Sequence, residues 1–558
     1  MTTALYSFFS KSFNPVWLAG PIFDKELRVS SRRKRNYYLR CCYIILLGIF
    51  VLSTWYTTVI FRSSGSAVYQ ISRLSQAGRH IITAIIWFQF IVAQIIAIVM
   101  LSSSISDEIH TGTLNVLMTT PLSGFQIVTG KLLSKLLQLM LLLAISLPLL
   151  AIIRVFGGVP WDYVVSSVFI TLSAAVFAGA MSLLLSMSYR NSYSVILSAV
   201  IGYLLVFAAL PSLFSGLAAA GFFNQQTTQS VLALTSPFWA LLRTTEAMSS
   251  ASGRNIFSWP MHCLIMLAAT ALLLGLSVWR VRKVALKAAF GRNVSSKNAY
   301  AGVIKRVTGS PIVWKEMRKG LIGRGKGNIA ITILLIGLFL SALIPFFFPS
   351  GMGRYSIFTY FLTSGFYLVV MIRLAVFSAG GIAAEKDART WPILLMTPLE
   401  DKEIVRGKAI AAFRRNIHLL LLYFALFCLQ YVHLAIAVGR SSFPTSILGL
   451  FFTSVIGLAG SILFVIGSGL YFGVRLRTAT AAVAATAGLY LVINGPFVGI
   501  YRLLNIVLYR VLFGSILRSR GPTAWIHFAT SIIFLLFQAG IGLFLMRCAV
   551  RRVRRDIF

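Results

Sequence analysis

Acidic side chains are scarce in this chain. Thirteen Asp and Glu stand against 51 Lys and Arg among 558 residues, a formal net charge of +38. Charged residues of both signs make up 11% of the sequence, where a soluble domain carries about 25%. That shortage excludes an ordinary soluble enzyme and a long solvated tail, since both need charge and polar surface. Cysteine is sparse as well. The five present (Cys41, Cys42, Cys263, Cys428, Cys548) form no C-x-x-C pair and no secreted disulfide framework, and read as small apolar residues.

What the chain has instead is apolar length: 58% of it is hydrophobic. A bilayer-spanning helix needs about 20 mostly apolar residues. Such runs occur at 39–60, 81–105, 132–153, 163–188, 193–214 and 261–280 in the first half. In the second they occur at 328–348, 358–383, 410–437, 446–473, 479–500 and 524–547. The fifth run of each half is interrupted, by Gly202 and Pro211 and by Gly488 and Pro496. Residues 1–38 are basic without a long apolar run, so no cleavable signal peptide is expected.

The charge now sorts by compartment. With the N-terminus inside, 32 basic residues fall in inner segments and 12 in outer loops. This is the positive-inside bias, with both termini cytoplasmic. It replaces the nucleic-acid reading of +38, which needs a folded basic surface. Eleven of the thirteen acids lie in inner segments, Asp162 and Glu246 lie outside, and none lies in a span. Ion-coupled carriers place carboxylates at mid-membrane to hold the driving ion, so energy is expected from another source.

The chain repeats itself. EIHTGTLNVLMTTPLSGFQIVTGK at 108–131 aligns without gaps on EKDARTWPILLMTPLEDKEIVRGK at 385–408, an offset of 277, with ten of 24 positions identical. A second pair, Pro21–Arg28 and Pro311–Arg318, stands 290 residues apart before the first span of each half. Both copies lie on the inner side between second and third spans, so the duplication is parallel rather than inverted. The expected fold is an all-α polytopic membrane protein of two parallel six-span halves, about 12 transmembrane helices in all. Its parts are a cytoplasmic N-terminal segment (1–38), the first half (39–280), a basic linker (281–327), the second half (328–547) and a basic tail (548–558).

Each repeated segment is expected to form a cytoplasmic helix–turn–helix knuckle. Pro121 disfavours helix at Thr120, and Ser123-Gly-Phe-Gln126 reads as a capping box opening the third span. In the second copy Glu400, Asp401 and Glu403 put negative charge in the same first turn, which suits the helix dipole. Leu117, Met118 and Leu122, with Leu394, Leu395 and Leu399, supply an apolar edge. Retention of ten residues across the duplication favours a docking surface over a tight inter-span loop.

E-x4-T-x6-TPL-x4-IV-x-GK resembles the signature after the second span of ABC-2 type permeases of ATP-binding-cassette exporters. The six-span halves and the basic segment before each first span are similar to that family too. The resemblance implies that each knuckle is a coupling helix seated in a separate ATPase subunit, one for each half. It assigns that role to Glu108, Thr113, Leu117, Pro121 and Leu122, and to Glu385, Thr390, Leu394, Pro398 and Leu399. It makes Lys25, Glu26 and Arg28, with Lys315, Glu316 and Arg318, part of interfacial connecting helices. Arg389 and Trp391 depart from the common pattern, where the first copy keeps Gly112 and Leu114. The implied protein is the membrane permease of an exporter of hydrophobic or amphipathic cargo, multi-pass in a plasma (bacterial inner) membrane. It binds no cofactor or nucleic acid itself, and ATP and Mg belong to the partner. The rival classes are an ATP-independent carrier or lipid scramblase, and a membrane scaffold.

Other motifs are weaker. Gly320-Leu-Ile-Gly-Arg-Gly325-Lys326-Gly327 matches GxxxxGK but lacks the final Ser/Thr that holds magnesium, and no strand is expected before it. Arg373 stands well inside a span, either on the intramembrane pathway against an anionic headgroup or opposite group, or snorkelling to an interface. Gln89, Gln94, Gln138, His418, His433, Asn494 and Gln538 read as interhelical hydrogen-bonding residues. No metal cluster is expected, and the outer loop 215–260 reads equally as membrane-associated helices or as a loop with aromatic anchors.

Overall fold

Inside a bilayer every backbone polar group must be satisfied within its own segment, which leaves helices as the economical solution for apolar runs of this length. The computed structural model is helical and contains no strand among the residues it describes. These are 21–26, 28–29, 34–55, 67–111, 113, 116, 119–120, 122–189, 192–219, 222–249, 258–289, 309–318, 352–438, 445–476, 478–494 and 523–554. The helices are α1 (Lys34–Trp55), α2 (Ala67–Ser102), α3 (Ser106–Thr111), α4 (Gly124–Ala144), α5 (Leu147–Gly157), α6 (Trp161–Ser186), α7 (Ser192–Leu204), α8 (Leu210–Ala219) and α9 (Gln225–Thr235). They continue with α10 (Pro237–Ser249), α11 (Trp259–Ala289), α12 (Pro311–Arg318), α13 (Met352–Asp387), α14 (Trp391–Leu395), α15 (Asp401–Val438), α16 (Thr445–Arg475), α17 (Ala479–Asn494) and α18 (Thr523–Arg552).

Among the described residues, eight helical stretches are long and apolar enough to cross a membrane. They occupy α2, α4 with α5, α6, α11, α13, α15, α16 and α18. Shorter apolar helices at Tyr37–Leu52, Ser194–Phe207 and Ala479–Tyr490 stand where the sequence places the first, fifth and eleventh spans. The expected span at 328–348 lies outside the described residues.

Local chemistry explains the irregularities. The third span of the first half breaks at Ile145–Ser146, and α5 restarts with Pro148 in its first turn, where a missing N–H costs nothing. Its repeat equivalent is Ala425, and α15 runs unbroken for 38 residues. Between α7 and α8 the chain widens into a π-turn over Leu205–Ala209, with Leu210 N–H bonding Leu205 O. Pro211 follows at once, and its ring and missing N–H cannot continue a regular ladder. The capping box at Ser123 and Gln126 is present in both directions, at 3.2 and 3.1 Å. The 215–260 segment is helical at α9 and α10 rather than an open loop.

The chain divides into two compact units, 1–200 with 233–302 and 201–232 with 303–558. In the first, α6 is central and packs against α2, α10 and α11. Its small residues allow close approach, the main source of helix association without a hydrophobic drive. Ser182 Oγ donates to Ile98 O at 2.9 Å, and Gln94 Nε2 to Thr171 O at 3.4 Å. In the second unit α16 holds that place, between α13 and α18. Gly467 and Gly542 bring the α16 and α18 backbones into direct contact, so a Cβ on either has no room. On the opposite side a Cβ at Gly473 would lie 2.7 Å from Ala379 O of α13. Polar bonds add direction: Gln538 Nε2 donates to Asn494 Oδ1 at 2.9 Å, and the Tyr367 and Tyr490 hydroxyls meet at 2.5 Å. Asn494 and Gln538 thus join helices as their sequence reading holds.

Candidate functional site

The repeated segments sit where the second helix of each half ends and the third begins. In the second unit α13 terminates in a Schellman arrangement: Thr390 N–H bonds Glu385 O at 2.9 Å and Arg389 N–H bonds Lys386 O at 3.0 Å. Arg389 takes the left-handed conformation this requires, at φ 56°. The Thr390 hydroxyl adds a second bond to Glu385 O at 3.3 Å. The E-x4-T spacing is therefore the spacing of a helix end, with the threonine closing the turn on the glutamate's own carbonyl. Gly112 occupies the Arg389 position in the first copy, the residue that region favours.

Glu385 is buried, 5% exposed, and its carboxylate faces inward. Lys408, also buried, lies 3.1 Å from Glu385 Oε1 and 3.0 Å from Glu316 Oε1, and donates to Gly381 O at 2.9 Å. Three acceptors match the three protons of an ammonium group. Lys315 reaches Glu385 Oε1 from the other side at 2.9 Å. Two lysines and two glutamates thus make a neutral cluster binding α12, α13 and α15 at one point. Gly407, beside Lys408, makes room for α12: a Cβ there would lie 3.0 Å from Ile312.

The first unit builds the same tie with fewer connections. Lys131 pairs with Glu108 at 2.6 Å and donates to Ser104 O, the residues equivalent to Lys408, Glu385 and Gly381 at the repeat offset. Glu26 pairs instead with Lys135, at 3.2 Å, one turn further along α4. Position 412, equivalent to Lys135, is alanine. Glu108 is less enclosed, its side chain 23% exposed. Lys25 and Arg28 are exposed, and Arg28 bonds Asp24 at 3.0 Å. Arg318 is the last residue of α12.

The apolar edge expected at Leu394, Leu395 and Leu399 is turned inward, packed with the fully buried Trp391 against the second unit's core. Helical geometry decides this: with Trp391 anchored, Leu394 falls on the same face one turn later. The outward residues are Ile393, 65% exposed, Met396, 85% exposed, and Pro398. In the first copy Val116, the equivalent of Ile393, is 67% exposed, Thr113 is exposed and Leu122 half-buried. Leu117 and Pro121 lie outside the described residues. Sequence reasoning overlooked Ile393, Met396 and Val116, and overlooked the part of Lys131 and Lys408. The signal for the lysines was present: each is retained at the same distance from its glutamate in both copies.

Arg373 sits inside α13 and is 2% exposed. It is far from the tie of its own unit, about 18 Å from Glu385 by helical rise over twelve residues. The described residues include no group of three His, Cys, Asp or Glu able to hold a metal.

A family model described as ABC-2 family transporter protein matches residues 21–286, from the stretch before α1 to the end of α11. No curated protein matches the chain.

Proposed function

Because the chain belongs, through residues 21–286, to the ABC-2 family of transporter proteins, we propose that it is the membrane permease of an ATP-driven exporter built from two fused ABC-2 halves. Membership makes it a multi-pass membrane transport component rather than a catalytic subunit. The second half enters the reading through the internal repeat, since the match ends at 286. The further step is that two separate ATPase subunits carry Mg and ATP and dock one on each knuckle. The cargo, hydrophobic or amphipathic, moves outward across a plasma (bacterial inner) membrane.

The observation that carries this reading is a crest on a fastened base. Ile393, Met396 and Pro398 face outward in the second copy, and Val116 does so in the first. Beneath the second crest, Glu385 and Lys408 lock the end of α13 to α12 and α15. A push delivered to a crest by a closing ATPase then reaches three helices together instead of being absorbed by a loose loop. Glu108 and Glu385 act in this mechanism as positioning residues beneath the docking surface, and the exposed apolar residues make the contact. Thr113 and Thr390 keep the turn closed, and Lys315, Glu316 and Glu26 carry the motion into the segment before each first span.

The test follows from that division. The permease is purified with its candidate ATPase, and association and ATP hydrolysis are measured for wild type and for Val116→Glu with Ile393→Glu. Both positions are exposed, so the double variant is expected to fold normally and lose binding and stimulated hydrolysis. Full binding and turnover in a folded double variant overturns the docking assignment.

A further inference from the structure

Arg373 lies 2% exposed in the middle of the Thr363–Lys386 span, and its Nε and Nη2 meet no hydrogen-bond acceptor among the described residues. Its guanidinium lies 5.5 Å from the centroid of the Phe377 ring. Arg415, half-buried on the neighbouring α15, approaches the same ring at 4.2 Å. Two cations therefore approach one aromatic ring.

Cation–π attraction to one ring offsets only part of the cost of removing a guanidinium from water. A carboxylate is the usual remedy, and this chain supplies none at that depth. All thirteen Asp and Glu lie outside the apolar runs, and the nearest along α13, Glu385, is engaged by Lys315 and Lys408. The counter-charge must then come from outside the chain. Arg415 adds a second cation: it ends the polar stretch of α15 that carries Lys402, Arg406, Lys408 and Arg414, in the same span as the apolar run from Ile417. The planar fork of arginine suits the paired oxygens of a phosphate group.

We propose that Arg373 and Arg415, beside the Phe377 ring, form a binding site for a phosphate oxyanion between α13 and α15. The oxyanion is presented by the headgroup of an anionic phospholipid or arrives as free phosphate. The site belongs to the second half alone: at the repeat offset Arg373, Phe377 and Arg415 become Ile96, Met100 and Gln138. It does not rest on the coupling mechanism and stands or falls without an ATPase.

The full chain is reconstituted in nanodiscs of phosphatidylcholine alone or with phosphatidylglycerol, as wild type, Arg373→Gln, Arg415→Gln and the first-half control Gln138→Ala. Native mass spectrometry counts the phosphatidylglycerol retained, and thermal melting reports folding. Wild type and Q138A are expected to retain the anionic lipid at least tenfold better than R373Q or R415Q. R373Q is expected to melt no lower than wild type in phosphatidylcholine, because it removes a charge that has no partner there. Stabilisation of wild type by inorganic phosphate in phosphatidylcholine discs, lost in R373Q, assigns the same oxyanion to a free ion. Equal retention of phosphatidylglycerol by wild type and folded R373Q and R415Q, with no effect of inorganic phosphate, overturns the proposal.

Discussion

Two copies of one motif keep their glutamates in different company. In the second half Lys408 serves Glu385, Glu316 and a main-chain carbonyl together, and Lys315 closes the cluster from α12. In the first half the same job is split between two pairs, Glu108 with Lys131 and Glu26 with Lys135. The shared core of the motif is thus a Lys–Glu–carbonyl tie between the second and third helices. The connection to the preceding segment was free to take either of two lysine positions. The lower ends of the sixth helices differ in the same spirit. Gly124 admits Val281, with a Cβ there 3.2 Å from Val281 Cγ1, whereas the equivalent Asp401 pairs with Arg554 at 2.7 Å. One half fastens its helix ends by close packing and the other by charge.

Breaking the two ties separately tests this contrast most strongly. Lys408→Met leaves two buried carboxylates without their shared cation and is expected to cost about 3–5 kcal/mol. Lys131→Met, beneath a partly wet Glu108, is expected to cost about 1.5–3 kcal/mol. Thermal melts of the purified variants in one detergent measure both. An equal loss removes the distinction between a shared and a split tie.

Close packing gives the next effect. Gly467→Val drives a side chain into the Gly542 backbone, which cannot yield, and is expected to destabilise by about 1–3 kcal/mol or more. Gly179→Ala in the first unit meets Leu101 Cδ1 at 3.0 Å and Leu132 Cδ1 at 3.5 Å, both movable ends of side chains. It is expected to shift the melt far less, and a larger loss at Gly179 than at Gly467 contradicts the packing described for the two units.

Smaller still is the split connection itself. Lys135→Ala removes a partly buried ion pair and is expected to cost about 1 kcal/mol, falling as salt is raised. A salt-independent loss of several kcal/mol shows that this pair is as enclosed as the Lys408 cluster. Arg389→Gly sharpens the comparison from the other side. It relieves a left-handed arginine and puts glycine where the first copy's sequence has Gly112, with an expected gain of about 1 kcal/mol. Hydrogen exchange at Thr390 N–H reads that gain locally, and faster exchange contradicts it.

Much of the architecture was legible because its signals are local. Ser123 and Gln126 announce a helix start through their own spacing, and Pro211 announces an irregularity by lacking an N–H. The duplication is visible as identity at a constant offset. The direction in which a side chain points was not legible. Leu394 and Ile393 are neighbours of nearly equal hydrophobicity, yet one is 9% and the other 65% exposed. The difference arises because Trp391 is buried in one cluster with residues as distant as Ile312 and Val553. The glutamates read as contact residues were likewise identified correctly as retained. Their inward ion pairing depends on lysines that approach only after α13 and α15 lie side by side.

The sequence by itself determined the solvent and the sidedness expected of this protein, its helical class and its duplication. Apolar run length, basic asymmetry and repeat spacing are properties of a chain read in order, and they need no partner. The tertiary structure alone decided which of the described repeated residues turn inward to ion pairs and which stay exposed. It also brought Arg373 and Arg415 to one ring. Burial and counter-charge are relations between residues far apart in the chain, and the low-dielectric surroundings that give those relations their weight exist only once the helices have packed.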